Sequence, residues 1–204
     1  MDTTLVEKAF ELAARLHATQ TRKASLVPDV PYLGHLMEVA GLVTASGAPM
    51  IAVAAALLHD AIEDQGAETR ELIEAQLGGD VLALVEECTE PGTGGTQKAP
   101  WRERKEGYLQ HVRSSSLLAL VISCSDKVQN AHDLRRQVYV NGDAAYASFT
   151  TGKAARLWFM RAFALAARER LTVLQAEQPG EPLLKGIDYL LFELQEVLSY
   201  LESH

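Results

Sequence analysis

The strongest regularity in the chain is an apolar residue every three or four positions, the period of a helix with one buried face. Leu5, Ala9, Leu12, Ala13 and Leu16 fall on one stripe and predict an amphipathic helix over residues 3–20. Two prolines between Thr21 and Pro31 interrupt it. A second helix is predicted from Tyr32 to Ser46, ending near Gly47, and a third from Pro49 to Asp64. The third begins IAVAAALL after Met50 and is apolar almost all round, which places it at the centre of the fold. Shorter helices are predicted near 68–77 and 80–89, followed by EPGTGGTQKAP, whose Gly, Pro and Thr content predicts a mobile loop. Helical periodicity resumes near 101–114 and 116–136. A turn at Asn141-Gly142 leads to a short helix and then a long one near 152–176, with Leu157, Phe159, Phe163, Leu165 and Leu171 as apolar positions. After a break at 177–182, Leu183 to Leu201 is a last amphipathic helix. No strand pair and no internal repeat stand out, so the expected class is all-α. The expected organisation is one domain over 1–176, with a C-terminal helix over 183–204 packing on the body or on a partner.

Composition narrows the function classes. The chain has 204 residues, enough for one domain with a real core. Lys plus Arg is 19 and Asp plus Glu 27, a net charge of −8. That balance opposes nucleic acid or an anionic membrane as a partner, since both reward excess positive charge. It leaves room for a small anionic ligand held by a metal or a few focused cations. Cys88 and Cys124 both sit in apolar runs and read as reduced, buried thiols. The N-terminus lacks the basic and apolar regions of a signal peptide, and no apolar run is long enough for a membrane span. A soluble cytoplasmic protein is expected.

Against this background four polar groups occupy segments predicted to be buried: His35, the pair His59-Asp60, and Asp126. An ionised Asp at the end of the most apolar run is costly unless positive charge compensates it. Neutral His with ionised Asp suits a borderline divalent ion such as Mn, Fe, Co or Zn. Two His and two Asp leave positions open for water and substrate, as hydrolytic sites require. On one continuous helix, Glu63 would lie a turn beyond His59, and Asp64 a turn beyond Asp60. Such carboxylates can orient water or accept its proton. Asn130 follows Asp126 by the same step and is expected to face the same cavity. Each residue also has an ordinary interpretation: a packed His35, a polar helix end at Glu63-Asp64, an Asp126 paired with Lys127 or Arg135. Nearby cations are Arg22-Lys23, Lys127, and Arg102, Arg104 and Lys105, the last three equally compatible with a solvated helix face.

The order His35…His59-Asp60…Asp126 resembles the HD-domain metal-dependent phosphohydrolases. ARLHATQTRK, PYLGH, AALLHDAIED and SDKVQNAHDL are similar to the hydrolase domain of the RelA/SpoT proteins and the small stand-alone alarmone hydrolases. The likeness covers about residues 7–136 and continues more weakly through GDAAYASFTTGKAARLWFMRAF. It implies an all-α HD-domain helical bundle with an additional C-terminal helix. It also implies a Mn-dependent enzyme that removes pyrophosphate from the 3′ position of hyperphosphorylated purine nucleotides. On that likeness His35, His59, Asp60 and Asp126 are metal ligands and Glu63 and Asp64 the catalytic acidic pair. Arg22, Lys23 and Asn130 match substrate-contacting positions, with Arg104 and Lys105 as further phosphate cations. Alternatives are a general HD nucleotide or phosphomonoester hydrolase, and a non-catalytic nucleotide-binding module. A homo-oligomer is compatible with the C-terminal helix. Four features depart from the family pattern: the ASLVPDV segment after Lys23, Leu36, His132, and the loop 91–100.

Overall fold

The computed structural model describes residues 2–22, 25–91 and 99–204. Lys23 and the 92–98 stretch of the Gly-rich loop therefore lie outside the described residues. Among the described residues the chain is all-α, with no named strand and a single bridge between Thr21 and Pro31. The helices are α1 (Thr4–Leu16), α2 (Leu33–Ala45), α3 (Met50–Leu57), α4 (Ala61–Gln65), α5 (Thr69–Leu77) and α6 (Gly79–Cys88). They continue with α7 (Trp101–Val112), α8 (Leu117–Asn141), a 3₁₀ helix (Gly142–Ser148), α9 (Gly152–Glu177) and α10 (Leu183–Ser203).

The helix called central by its pattern is central. In α3 the run Ala52 to Leu57 is buried throughout, and the helix packs on α1, α2, α6 and α8. Its small alanines let four neighbours approach closely. Two long helices form the other half of the core. α10 packs on both α8 and α9, burying Leu184, Ile187, Leu191, Leu194 and Leu198. Each such side chain contributes roughly 1.5–3 kcal/mol by leaving water. At Gly186 an added Cβ would lie 2.6 Å from the Ser46 carbonyl oxygen, so glycine lets α10 meet the end of α2. No helix of the described residues is long and apolar enough to cross a membrane.

One prediction needs correction. Residues 49–64 do not form one helix: α3 stops at Leu57 and α4 starts at Ala61. Between them, Leu58 N–H bonds to the Ala55 carbonyl at 3.0 Å and Ala61 N–H to the Leu58 carbonyl at 2.9 Å. These three-residue bonds tighten the chain into a turn. On a regular helix adjacent residues point about 100° apart, so His59 and Asp60 could not both face one point. The tight turn removes that restriction.

Candidate metal centre

Three elements deliver the four groups. His35 comes from the first turn of α2, His59 and Asp60 from the turn between α3 and α4, and Asp126 from the middle of α8. His35 Nε2 is 3.4 Å from Asp60 Oδ2 and 3.4 Å from Asp126 Oδ1. His59 Nε2 is 3.1 Å from Asp60 Oδ2 and 3.6 Å from Asp126 Oδ1. Ligand atoms of His35, His59 and Asp126 all lie within 4.8 Å of one another, and the three residues are buried. Asp60, half-buried, also accepts the Tyr32 phenol hydrogen.

Charge is strongly coupled here. Burial alone would lower the His59 pKa, but the Asp60 and Asp126 carboxylates outweigh it and raise the ring well above its usual range. Burial would likewise raise Asp60, yet His59 and His35 hold it well below the usual carboxylate range. Asp126 is pulled down against burial chiefly by the Lys127 ammonium, which contacts it directly.

The arrangement fits a divalent ion on an observation independent of spacing. Nε2 of both His35 and His59 is buried and makes no hydrogen bond. Each ring is held by its other nitrogen: His59 Nδ1 lies 2.7 Å from the Ala56 carbonyl, and His35 Nδ1 lies 2.5 Å from Gln129 Oε1. Buried polar atoms are nearly always satisfied, so two nitrogens without a hydrogen-bond partner beside two carboxylates form a donor set for a cation. The mix of nitrogen and carboxylate oxygen is that of a borderline metal.

Two adjoining cavities surround the centre. The first, about 170 Å³, is lined by His59, Asp60, Asp126, Glu63, Lys105 and Lys127, among others. The second, about 200 Å³, is lined by Gln20, Arg22, Asp64 and Phe149. Tyr32, Asn130 and Arg156 line both and form the neck between them. The structure thus brings Glu63 beside the centre, with burial and then the Asp60 charge pushing its carboxyl up to about 7. A backbone N–H of Glu90 donates to Glu63. Asp64 opens instead on the second cavity and accepts from Gln20 Nε2 at 2.6 Å. Asn130 donates to Asp126 and lines both cavities, as the four-residue step predicts.

Of the cations, Arg22 faces the second cavity, held by Asn130 and Asp133 at 2.9 Å each. Lys105 reaches the first cavity; Arg104 does not, but pairs with Glu90 and donates to the Ala99 carbonyl at 3.2 Å. His132 turns away from both cavities toward Glu193 on α10, at 3.6 Å. His17 plays a positioning part, stacked on Tyr32 and bonded to Gln20 at 2.7 Å. Trp101, Trp158 and Phe159 pack together, with Phe159 also lining the first cavity.

Tyr32, Glu90, Gln129 and Arg156 were not singled out by the sequence. One signal existed for Arg156: it precedes Phe159, Met160 and Phe163 by three, four and seven residues, so a cation shares their buried face. Burial lowers its pKa, and its side chain lies over the Phe149 ring at 4.1 Å.

The chain belongs to the HD domain family, whose model matches residues 9–152. Its curated relatives include guanosine-3′,5′-bis(diphosphate) 3′-pyrophosphohydrolase MESH1 of Xenopus tropicalis, 35% identical over 137 residues, 66% of this chain and 72% of that one. The human protein of the same name is 35% identical over 131 residues, 63% of this chain and 69% of that one. The fold matches a solved structure described as "A metazoan ortholog of SpoT hydrolyzes ppGpp and plays a role in starvation responses". That match has TM-score 0.66 and 24% identity, over 98% of this chain and 97% of that one. A second match is lmo0812 from Listeria monocytogenes EGD-e, with TM-score 0.66 and 25% identity, over 81% of this chain and 99% of that one.

Proposed function

We propose that this protein is a manganese-dependent hydrolase that removes the 3′-pyrophosphate from hyperphosphorylated purine nucleotides such as ppGpp or an adenosine analogue. The observation that carries this is the convergence of His35, His59, Asp60 and Asp126 at 3.1–3.6 Å from one another, beside a cavity that His59, Asp60, Asp126 and the half-buried Glu63 line. The names of the MESH1 relatives support the substrate class.

In this reading the four residues hold Mn²⁺, with Fe, Co or Zn as substitutes. The ion supplies Lewis acidity to a phosphoryl oxygen and makes nearby water more acidic. Glu63, held by the Glu90 N–H, accepts the proton of the attacking water; a carboxyl near 7 is poised for that at neutral pH. The water oxygen bonds to the ester-linked phosphorus as the bond to the ribose 3′-oxygen breaks, and that oxygen takes up a proton from solvent, leaving a 3′-hydroxyl and pyrophosphate. Lys105 and Lys127 neutralise the pyrophosphate in the first cavity, and Asn130 orients it. Arg22 takes the nucleotide in the second cavity, with Asp64 as the second acidic group; the family likeness adds Lys23, which lies outside the described residues, as a further substrate cation. Arg104 acts through Glu90 in this arrangement. Electrostatic stabilisation supplies most of the rate, as in phosphoryl transfer generally.

Residues 1–176 serve as the hydrolase unit, with 183–204 packed on it. The buried free thiols Cys88 and Cys124 suit a cytoplasmic location. The deciding experiment is product analysis with guanosine and adenosine 3′-pyrophosphates side by side, with Mn²⁺ and with chelator. Pyrophosphate release that needs the ion is expected. Orthophosphate release from simple nucleotides, with the 3′-pyrophosphates untouched, would point to a general nucleotide hydrolase instead.

A further inference from the structure

Gln129 sits on α8 beside His35, is buried, and has no part of its own in the hydrolytic roles above. Its amide is nevertheless fully used. Nε2 donates to Glu38 Oε2 at 3.1 Å and to Asp133 Oδ2 at 3.0 Å. Both partners are carboxylates, which accept and cannot donate. The amide nitrogen must therefore face them, and the oxygen must face the other way. There Oε1 meets His35 Nδ1 at 2.5 Å and Arg22 Nη2 at 3.3 Å. An amide oxygen has no hydrogen to give, so the hydrogen between Gln129 and His35 resides on Nδ1 of the ring. In the neutral ring that leaves His35 Nε2, the atom aimed at Asp60 and Asp126, as the lone-pair nitrogen.

We propose that Gln129 is a positioning residue: it fixes the orientation and the ligating nitrogen of His35, and the same oxygen ties that histidine to the anion-facing Arg22. The two carboxylates on the amide nitrogen are part of the device, because without them the amide could turn over and present a donor to His35. A turned amide would place hydrogen opposite Nδ1 and favour the ring form whose Nε2 carries the hydrogen, unable to bind an ion. The arrangement also links the two cavities, since Arg22 lines the second and His35 belongs to the centre beside the first.

The inference rests on the metal-centre assignment in the proposed function, and its test separates the two. Titration calorimetry with Mn²⁺ alone, without nucleotide, is run on metal-free wild-type protein, Gln129→Met and Gln129→Glu. Methionine has a similar length and no strong acceptor; glutamate keeps the acceptor oxygen but loses both donors. Gln129→Met is expected to weaken Mn²⁺ binding about 10- to 100-fold, the usual cost of losing a metal histidine's partner. Gln129→Glu is expected to stay within about threefold of wild type, since a carboxylate on Nδ1 supports the same ring form. Thermal melts of the metal-free proteins show whether each variant folds. If either fails to melt cooperatively, ring ¹⁵N shifts of His35 in Zn²⁺-loaded wild type take its place, with hydrogen on Nδ1 expected. Unchanged Mn²⁺ affinity in a folded Gln129→Met, equal weakening in both folded variants, or hydrogen on Nε2 overturns the proposal. Wild-type protein that binds no divalent ion would instead overturn the metal centre itself.

Discussion

Glu63 and Asp64 are adjacent in the chain but open on different cavities. Glu63 lines the one that His59, Asp60 and Asp126 also line, and Asp64 the one that Arg22 lines. Adjacent positions in the short helix α4 point about 100° apart, so the pair straddles the neck between the cavities.

The two carboxylates should therefore fail differently when neutralised. Glu63→Gln is expected to lower kcat by about 10²-fold or more, with KM and Mn²⁺ affinity close to wild type. Asp64→Asn should raise KM as well as lower kcat, because it also disturbs the Gln20 contact beside Arg22. Steady-state kinetics on both variants check this; equal kcat and KM changes would contradict the division.

Ion binding should release a proton. Asp60 and Asp126 keep His59 protonated above its usual range against the effect of burial, whereas a ligating nitrogen must be bare. Mn²⁺ affinity is thus expected to rise with pH through neutrality. Calorimetry near pH 7 in two buffers of different protonation enthalpy should show about one proton released per ion. No proton release would remove His59 from the ligand set.

The metal-free protein should carry a pH-dependent strain at Glu63. Its carboxyl is raised by burial and by Asp60 to about 7 in the folded state, against an ordinary glutamate value of 4.5. A raised carboxyl contributes no cost below the unfolded value, a growing one between the two values, and a full one above the folded value. The full cost is on the order of 3 kcal/mol. Glu63→Gln removes it, so thermal melts should show the variant gaining on wild type from pH 4.5 to 7 and keeping that gain at pH 8. A gain that shrinks as pH rises would contradict the assignment.

The contact between α10 and α2 should tolerate no side chain at Gly186. Alanine there improves helix propensity by up to about 1 kcal/mol. Against that, its Cβ would press on the Ser46 carbonyl oxygen from 2.6 Å. Overpacking typically costs ~1–3 kcal/mol, and backbone cannot yield as a flexible side chain can. Gly186→Ala is expected to lower the melting temperature by several degrees, roughly 2–4 °C per kcal/mol for a chain of this size. An unchanged or higher value would mean that α10 shifts without cost.

Much of the fold was legible because helical periodicity reports burial directly. The apolar run of α3 marked the centre, and the stripes of α1 and α10 marked faces that are in fact covered. His35, His59, Asp60 and Asp126 were legible as polar groups placed where water is absent. The break at Leu58–Asp60 was not, because IAVAAALLHDAIED contains no Gly or Pro to mark the end of a helix. The break is held by three-residue hydrogen bonds and by His59 turning onto the Ala56 carbonyl, which are local outcomes of packing.

Similar limits apply to the groups around the centre. Arg104 and Lys105 looked alike as neighbouring cations, and both pair with Glu90, yet of the two it is Lys105 that lines the first cavity. Gln129 was silent, because an uncharged amide in a helix has no pattern of its own.

The sequence by itself determined the helical class, the central helix, the buried polar set and its preference for a divalent ion, since period and residue chemistry are local properties. Only the tertiary structure decided which cavity each carboxylate faces, which cations line those cavities, and which nitrogen of His35 faces the two aspartates. Those depend on the relative placement of α2, α4, α7 and α8, and that placement is set by packing between residues distant in the chain.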